Sequence, residues 1–332
     1  MLLSRSNLTR GYFIALVAAV FLSTTAIFIR HLTQTYHIPA LVLAFWRDVF
    51  VALTLMVVLG LARPALLRAG RRHLPYLAAY GLVLAVFNSL WTLSVALNGA
   101  ALSTVLVYCS AAFTVLLGWW LLKERLGWVK LVAVAFSLGG CALVSGVLQP
   151  GGGSAVPAGI LIGVFSGLSY AAYSLMGRSA AQRGLNPWTT LLYTFGFAAL
   201  ALLVVNLLPG GPLPGSAARP ADFFWLGNAW SGWLVLLLLA AGPTVAGFGL
   251  YNVSLTILPS SVANLVVTLE PVFTTVTAYF LFGETLNTQQ IAGGLMIVGG
   301  VAFLRLVEGR FSSPFSRMGE GGRGDEGEIS LL

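Results

Sequence analysis

Residues 261–286 read SVANLVVTLEPVFTTVTAYFLFGETL. The run is mostly apolar, and 260–282 is long enough for a helix to cross a bilayer core of about 30 Å at about 1.5 Å per residue. Yet Glu270 stands almost at its middle, followed by Pro271. A charge at that depth costs roughly 2.5 to 3.5 kcal/mol for an isolated inserted helix, so a partner or a wet cavity is expected. Pro271 has no N–H to offer the carbonyl of Val267, which predicts a bend at mid-membrane and makes Pro271 a candidate gating hinge. Thr274 and Thr277 follow at i+4 and i+7, on the face of Glu270. They either line a cavity or bond backbone carbonyls, the commoner fate of hydroxyls in membrane helices.

The same pattern occurs once before, in residues 101–126, ALSTVLVYCSAAFTVLLGWWLLKERL. A fixed offset of 160 sets Leu90, Ser94, Val107, Phe113, Thr114, Leu121, Glu124, Leu126, Gly139, Gly140 and Ala142 against identical residues, ending with Glu284, Leu286, Gly299, Gly300 and Ala302. An offset of 148 sets Gly11 and Pro39 against Gly159 and Pro187. The repeating unit is five helices. An odd number of spans inserts the second copy upside down, giving two inverted halves that can rock about one cavity. Glu124 and Glu284 each close a long apolar span, where a carboxylate meets water or the positive N-terminus of the next helix. The halves differ at their centres, because Ser110 and Ala111 stand where Glu270 and Pro271 do.

Composition agrees with this reading. Of 332 residues, 58% are hydrophobic and 8% charged, against roughly a quarter charged in soluble domains. That excludes a cytosolic enzyme and a disordered chain. Ten stretches have spanning length: about 11–31, 38–62, 74–97, 99–122, 128–147, 158–178, 188–208, 232–256, 260–282 and 288–307. The predicted organisation is a cytoplasmic N-terminus (1–10), a first five-helix repeat (11–147), an extracytoplasmic loop (148–157), an inverted second repeat (158–307) and a polar, glycine-rich, disordered cytoplasmic tail (308–332). The proline-rich segment 209–231 reads as surface turns. With ten spans, fifteen of the eighteen Lys and Arg fall on one side, Arg30 and Arg219 on the other, and Arg47 alone within a span. Both termini are therefore expected in the cytoplasm, in a cell inner membrane. The net charge of +8 is then a matter of topology, and no nucleic-acid partner is expected. Cys109 and Cys141 lie in apolar runs and read as packing residues.

The residues Ser261, Leu265, Leu269, Glu270, Pro271, Val272 and Phe273, with Gly283 through Leu286, resemble the EamA-type signature of the drug/metabolite transporter superfamily. The resemblance covers about 11–307. It implies an all-α integral membrane protein with ten transmembrane helices, as two inverted-topology five-helix repeats around a central cavity. The aromatic-rich spans 3, 4 and 6 are most similar to YddG-type exporters of amino acids and aromatic metabolites, so export of small amphipathic metabolites by alternating access is the implied function.

Arg47 and Asp48 are the other charges inside a span. As neighbours on a helix they point about 100° apart, so each is expected to seek a cross-helix partner. Arg47 and Glu270 either pair structurally or meet a zwitterionic or charged substrate. Span 3 aligns Tyr80, Leu84, Phe87, Trp91 and Ser94, with Asn88 at the margin, and span 6 stacks Gly159, Gly163, Ser166, Gly167, Tyr170, Tyr173 and Ser174. The small residues there predict close helix packing. The candidate cavity set is Arg47, Tyr80, Asn88, Trp91, Tyr108, Ser110, Tyr170, Tyr173, Asn252, Glu270 and Thr274. Each aromatic in it either lines the cavity or simply packs. Glu270 is also a candidate proton carrier, although uncoupled downhill passage fits equally.

No metalloprotease, nucleophile-elbow, Walker or dinucleotide motif occurs in the sequence. His31, His37 and His73 lack ligand spacing, so neither a metal nor a cofactor is expected. A lone intramembrane arginine argues against phosphorylated or nucleotide sugars, whose dianionic groups ask for several cations. The alternatives kept open are such a sugar carrier, a membrane-embedded enzyme, or a passive channel or structural subunit. The expected partners are lipid and a small-molecule substrate, with the chain acting as a monomer.

Overall fold

The computed structural model describes residues 5–124, 126–144, 157–208, 211, 213–282 and 288–311. The described residues are helical, with turns and short 3-10 segments between: α1 (Arg5–Thr35), α2 (Ala40–Ala62), α3 (Leu74–Tyr108), α4 (Ser110–Leu122), α5 (Trp128–Val144), α6 (Pro157–Gln182), α7 (Pro187–Leu207), α8 (Trp230–Leu239), α9 (Val245–Ile257), α10 (Ser260–Val267), α11 (Glu270–Phe282) and α12 (Thr288–Phe311). Among them, six stretches are long and apolar enough to cross a membrane: Asn7–Thr35, Ala40–Ala62, Arg71–Leu97, Ala158–Gln182, Pro187–Leu207 and Trp230–Ile257. Leu106–Leu122, Trp128–Leu143 and Ile291–Leu304 are shorter apolar helices. Leu61, Phe13, Trp120, Leu161, Val204 and Leu295 stand on the outer surface while Arg47, Asp48, Asn88 and Asn264 are buried. Only lipid makes that distribution favourable.

Four helix interruptions position the interior. The predicted break between spans 3 and 4 lies inside α3, whose backbone is helical throughout. Ser94 Oγ nevertheless donates to Ser103 Oγ at 2.9 Å, although nine residues of straight helix rise about 13.5 Å. The chain must therefore fold back on itself within that run. Next, α3 gives way to α4 at Cys109, and α10 to α11 at Thr268 and Leu269, so that α4 and α11 start 160 residues apart. Pro271 is the second residue of α11, where a missing N–H leaves few bonds unmade. The matching break at Cys109 occurs without any proline. The fourth interruption was not foreseen: Ala240–Thr244 forms a π-helical turn around Pro243, and the Thr244 hydroxyl donates to the Leu239 carbonyl at 2.8 Å.

Several helix pairs pack closely. α3 packs on α6 as α9 packs on α1; α4 packs on α6 as α10 and α11 pack on α1; α2 meets α7, and α5 meets α12. The basic segments gather at one end. Thr189 Oγ1 bonds the Leu66 carbonyl at 2.7 Å, Arg178 Nη1 the Leu255 carbonyl at 2.7 Å, and Arg183 lies over the Tyr76 ring at 4.4 Å. We call this the basic end. At the other end, residues 213–231 form more than surface turns. Leu41 N–H bonds the Gly215 carbonyl at 2.8 Å, Trp225 Nε1 bonds the Tyr36 carbonyl at 2.9 Å, and Ala217, Phe223 and Leu226 are buried. α12 continues to Phe311, a turn into the predicted tail; residues 312–332, the 148–156 part of the predicted loop and Glu284 lie outside the described residues.

The small residues of α6 act as predicted. A Cβ on Gly167 would lie 3.0 Å from the Leu106 carbonyl oxygen, 3.1 Å from that of Val107 and 3.3 Å from the Ser110 nitrogen. These are backbone atoms at the α3–α4 break and cannot step aside. Gly167→Ala is therefore expected to push α6 off the break and cost about 1–3 kcal/mol, the range for overpacking. A thermal melt in detergent checks this; a midpoint equal to wild type would show that the contact yields.

Candidate functional site

A small cavity of about 40 Å³, open on one side, sits among α1, α2, α3, α6, α9 and α11. Leu22, Thr25, Arg47, Phe87, Asn88, Trp91, Val107, Tyr108, Tyr170, Phe248 and Glu270 line it. Its walls are chiefly aromatic and aliphatic, with the two charges brought in by different halves of the chain.

On the α2 wall, Arg47 Nε lies 3.5 Å from Asp48 Oδ1, and the two side chains are 2% and 0% exposed. The expectation that neighbours on one helix could not face each other was wrong, because the long arginine stem can curl back along the helix. Asp48 does find the expected cross-helix partner: Asn88 Nδ2 donates to both carboxylate oxygens at 2.9 Å. Elsewhere in the cavity, the Tyr108 hydroxyl donates to Glu270 Oε2. The α3–α4 and α10–α11 breaks bring Tyr108 and Glu270 together, each lying at the break in its own span.

Arg47, Asn88, Trp91, Tyr108, Tyr170 and Glu270 thus share one cavity. The rest of the candidate set does not line it. Tyr80 lies about two turns from Phe87 toward the basic end, with its ring 4.8 Å from that of Tyr173. Tyr173 in turn stacks on Tyr170 at 6.2 Å and exchanges hydrogen bonds of 3.1–3.3 Å with Asn252. Ser110 Oγ donates to Asn264 Oδ1 at 3.2 Å, and Asn264 Nδ2 to Ser174 Oγ at 3.3 Å, which Tyr251 also reaches at 2.7 Å. These residues fill the layer beneath the cavity, because a helical face that points inward continues past the cavity into packed protein. Thr274 Oγ1 bonds the carbonyls of Ser23 and Glu270, both at 3.0 Å, and Thr277 that of Phe273. These hydroxyls serve the backbone.

Leu22, Thr25, Val107 and Phe248 were not singled out from the sequence. α1 carries no charge at mid-span, so nothing in its own composition distinguishes Leu22 and Thr25 from packing residues.

At the basic end a second polar cluster joins the halves. Lys123 takes a left-handed conformation (φ 55°) that ends α4, with Glu124 N–H bonding the Gly118 carbonyl at 3.0 Å. The turn aims Glu124 at the start of α10. Its Oε1 accepts from the Ser260 N–H at 2.8 Å and hydroxyl at 2.6 Å, and Oε2 from the Ser261 hydroxyl at 2.6 Å. Lys130 Nζ donates to Ser261 Oγ at 2.9 Å and lies 4.0 Å from Glu124. A carboxylate meeting a positive helix N-terminus was predicted. The helix is α10 in the other half of the chain, where water or α5, the next helix, had been expected, because the left-handed turn reverses direction before α5 begins. A Cβ on Gly118 would come within 3.0 Å of Glu124 Oε2.

An all-helical membrane chain whose interior polar groups surround one central cavity has the makings of a solute transporter. Residues 9–146 and 157–306 match the model of the EamA-like transporter family. The chain belongs to that family, within the drug/metabolite transporter superfamily. A protein of Archaeoglobus fulgidus named "Uncharacterized transporter" is 28% identical over 222 residues, 66% of this chain and 73% of that protein. A "Probable amino-acid metabolite efflux pump" of Salmonella typhimurium is 26% identical over 279 residues, 80% and 85% of the two chains. A "Probable 4-amino-4-deoxy-L-arabinose-phosphoundecaprenol flippase subunit ArnE" of Pseudomonas fluorescens is 38% identical over 86 residues, 26% of this chain and 73% of the other. One solved crystal structure superposes with a TM-score of 0.73 over 93% of this chain and 100% of its own, at 19% identity. That likeness concerns the fold alone.

Proposed function

We propose that this transporter exports small amphipathic metabolites, foremost amino acids including aromatic ones, by alternating access of two inverted five-helix halves. The observation that carries the reading is the cavity itself, whose aromatic and aliphatic walls suit an apolar side chain while Arg47 and Glu270 both line it. The helix pairings that exchange under a five-span shift, the breaks 160 residues apart and the two segments matched to the family support a pseudo-two-fold built from ten spans. The breaks, with Pro271 beside one of them, serve as hinges. Tyr80, Tyr173 and Tyr251, packed behind Tyr170, close the cavity toward the basic end. By the positive-inside bias that end is cytoplasmic, in an inner membrane, so the cavity faces outward in this conformation.

A sugar-phosphate or nucleotide-sugar cargo fits less well, since the cavity offers one guanidinium and that is already beside Asp48. Counterflow in liposomes with radiolabelled amino acids, sugar phosphates and nucleotide sugars tests the reading. Saturable, trans-stimulated uptake of amino acids is expected; linear flux, or counterflow of the phosphorylated compounds alone, would overturn it. In the same assay Trp91→Ala, which cuts back the apolar wall, is expected to shift preference from aromatic toward aliphatic amino acids by about tenfold, one large buried contact being worth about 1.5–3 kcal/mol. An unchanged preference order together with lost folded protein would make Trp91 a packing residue.

A further inference from the structure

Arg47 is 1% exposed, yet it lines the cavity. Its Nε and Nη2 have no hydrogen-bond acceptor. Asp48 supplies opposite charge to Nε at 3.5 Å, too far for a well-formed hydrogen bond, while each of its oxygens accepts from Asn88 Nδ2 at 2.9 Å. The result is a guanidinium whose charge is balanced while donors of its planar fork remain unused. Unmade hydrogen bonds of a buried charged group are costly, and a second acceptor-only group in the cavity would recover them. A carboxylate matches the fork in plane and spacing, and can accept two parallel bonds.

We propose that the Arg47 guanidinium is a carboxylate-binding site on the cavity wall, held in position by Asp48 and Asn88. The inference rests on the transport reading above and narrows it to cargo carrying one carboxylate. Because Asp48 already neutralises the arginine, a monoanionic group leaves a single net negative charge at this wall, and a dianionic phosphate would leave two. Glu270, with one oxygen held by Tyr108, lines the same cavity and offers an acceptor for an ammonium. A zwitterion then satisfies both groups with its apolar side chain against Phe87, Trp91 and Phe248.

The test is equilibrium binding to the purified full-length protein of matched probes: phenylalanine, phenylalaninamide, 3-phenylpropionate and 3-phenylpropanamide. Each carboxylate is expected to bind at least about tenfold more tightly than its amide, about 1.4 kcal/mol. Arg47→Lys keeps the charge beside Asp48 and loses the fork, so it is expected to weaken binding of the acids more than that of the amides and so to reduce that preference. Equal affinity for acid and amide in the wild type overturns the proposal, as does an Arg47→Lys protein that retains the full preference. If that variant does not fold, the acid and amide pairs on the wild type decide alone. Should counterflow show no amino-acid transport, 3-phenylpropionate against 3-phenylpropanamide still decides the Arg47 site, since neither is an amino acid. Binding of neither overturns it.

Discussion

Asp48→Ala is expected to remove most of the folded protein. In the native chain Asp48 is fully buried beside Arg47 and accepts both bonds from Asn88. Taking it away leaves a guanidinium in the membrane interior with neither a counter-charge nor an acceptor. Breaking a buried pair from one side typically costs about 3–5 kcal/mol, a large share of the about 5–15 kcal/mol that holds a domain folded. The monodisperse peak in size-exclusion chromatography and the melting midpoint in detergent read the loss. The double change Arg47→Met with Asp48→Leu removes both charges and is expected to restore the peak, because apolar replacement of a whole buried pair is often neutral or stabilising. The same double variant should lose carboxylate binding. A single Asp48→Ala protein that melts like wild type would show that the pair does not hold the fold.

Glu124→Ala has the second large effect, at the opposite level of the membrane. The carboxylate accepts from the Ser260 N–H and both serine hydroxyls, and it is the clasp between the end of α4 and the start of α10. Without it these donors lose their acceptor and the nearby Lys130 ammonium its counter-charge together. In the proposed cycle this clasp is made while the cavity faces away from the basic end. Its removal is expected to favour opening there. A single cysteine at Ser174, in the layer beneath the cavity, reports this through alkylation by an impermeant maleimide applied from the cytoplasmic side. At least a tenfold faster reaction is expected, the shift produced by losing about 1.4 kcal/mol from one state. Glu124→Gln keeps one acceptor oxygen and should fall between. An unchanged rate in Glu124→Ala would remove the clasp from any gating role.

The interior was partly legible beforehand. The costly charges at positions 47, 48 and 270 pointed to the cavity, since lipid makes an unpaired charge conspicuous in sequence. The tyrosines were ambiguous, because a ring that packs and a ring that lines a cavity carry the same composition. Tyr108 and Tyr170 reach the cavity, whereas Tyr80 and Tyr173 fill the layer below. The threonines likewise could not declare whether their hydroxyls faced substrate or backbone until the Ser23 carbonyl was found beside Thr274.

Hydropathy and helical period are local properties, so the sequence alone determined that this is a helical membrane protein, that its basic residues belong at one end and that its two halves share a pattern. Contacts between distant spans depend on the rotation and depth of each helix, and close backbone packing such as Gly167 on the α3–α4 break sets both. Only the tertiary structure therefore decided that Arg47 turns to its neighbour Asp48, that Tyr108 reaches Glu270, and that Glu124 closes on Ser260 across the molecule. The charges marked where a site had to be, and packing chose their partners.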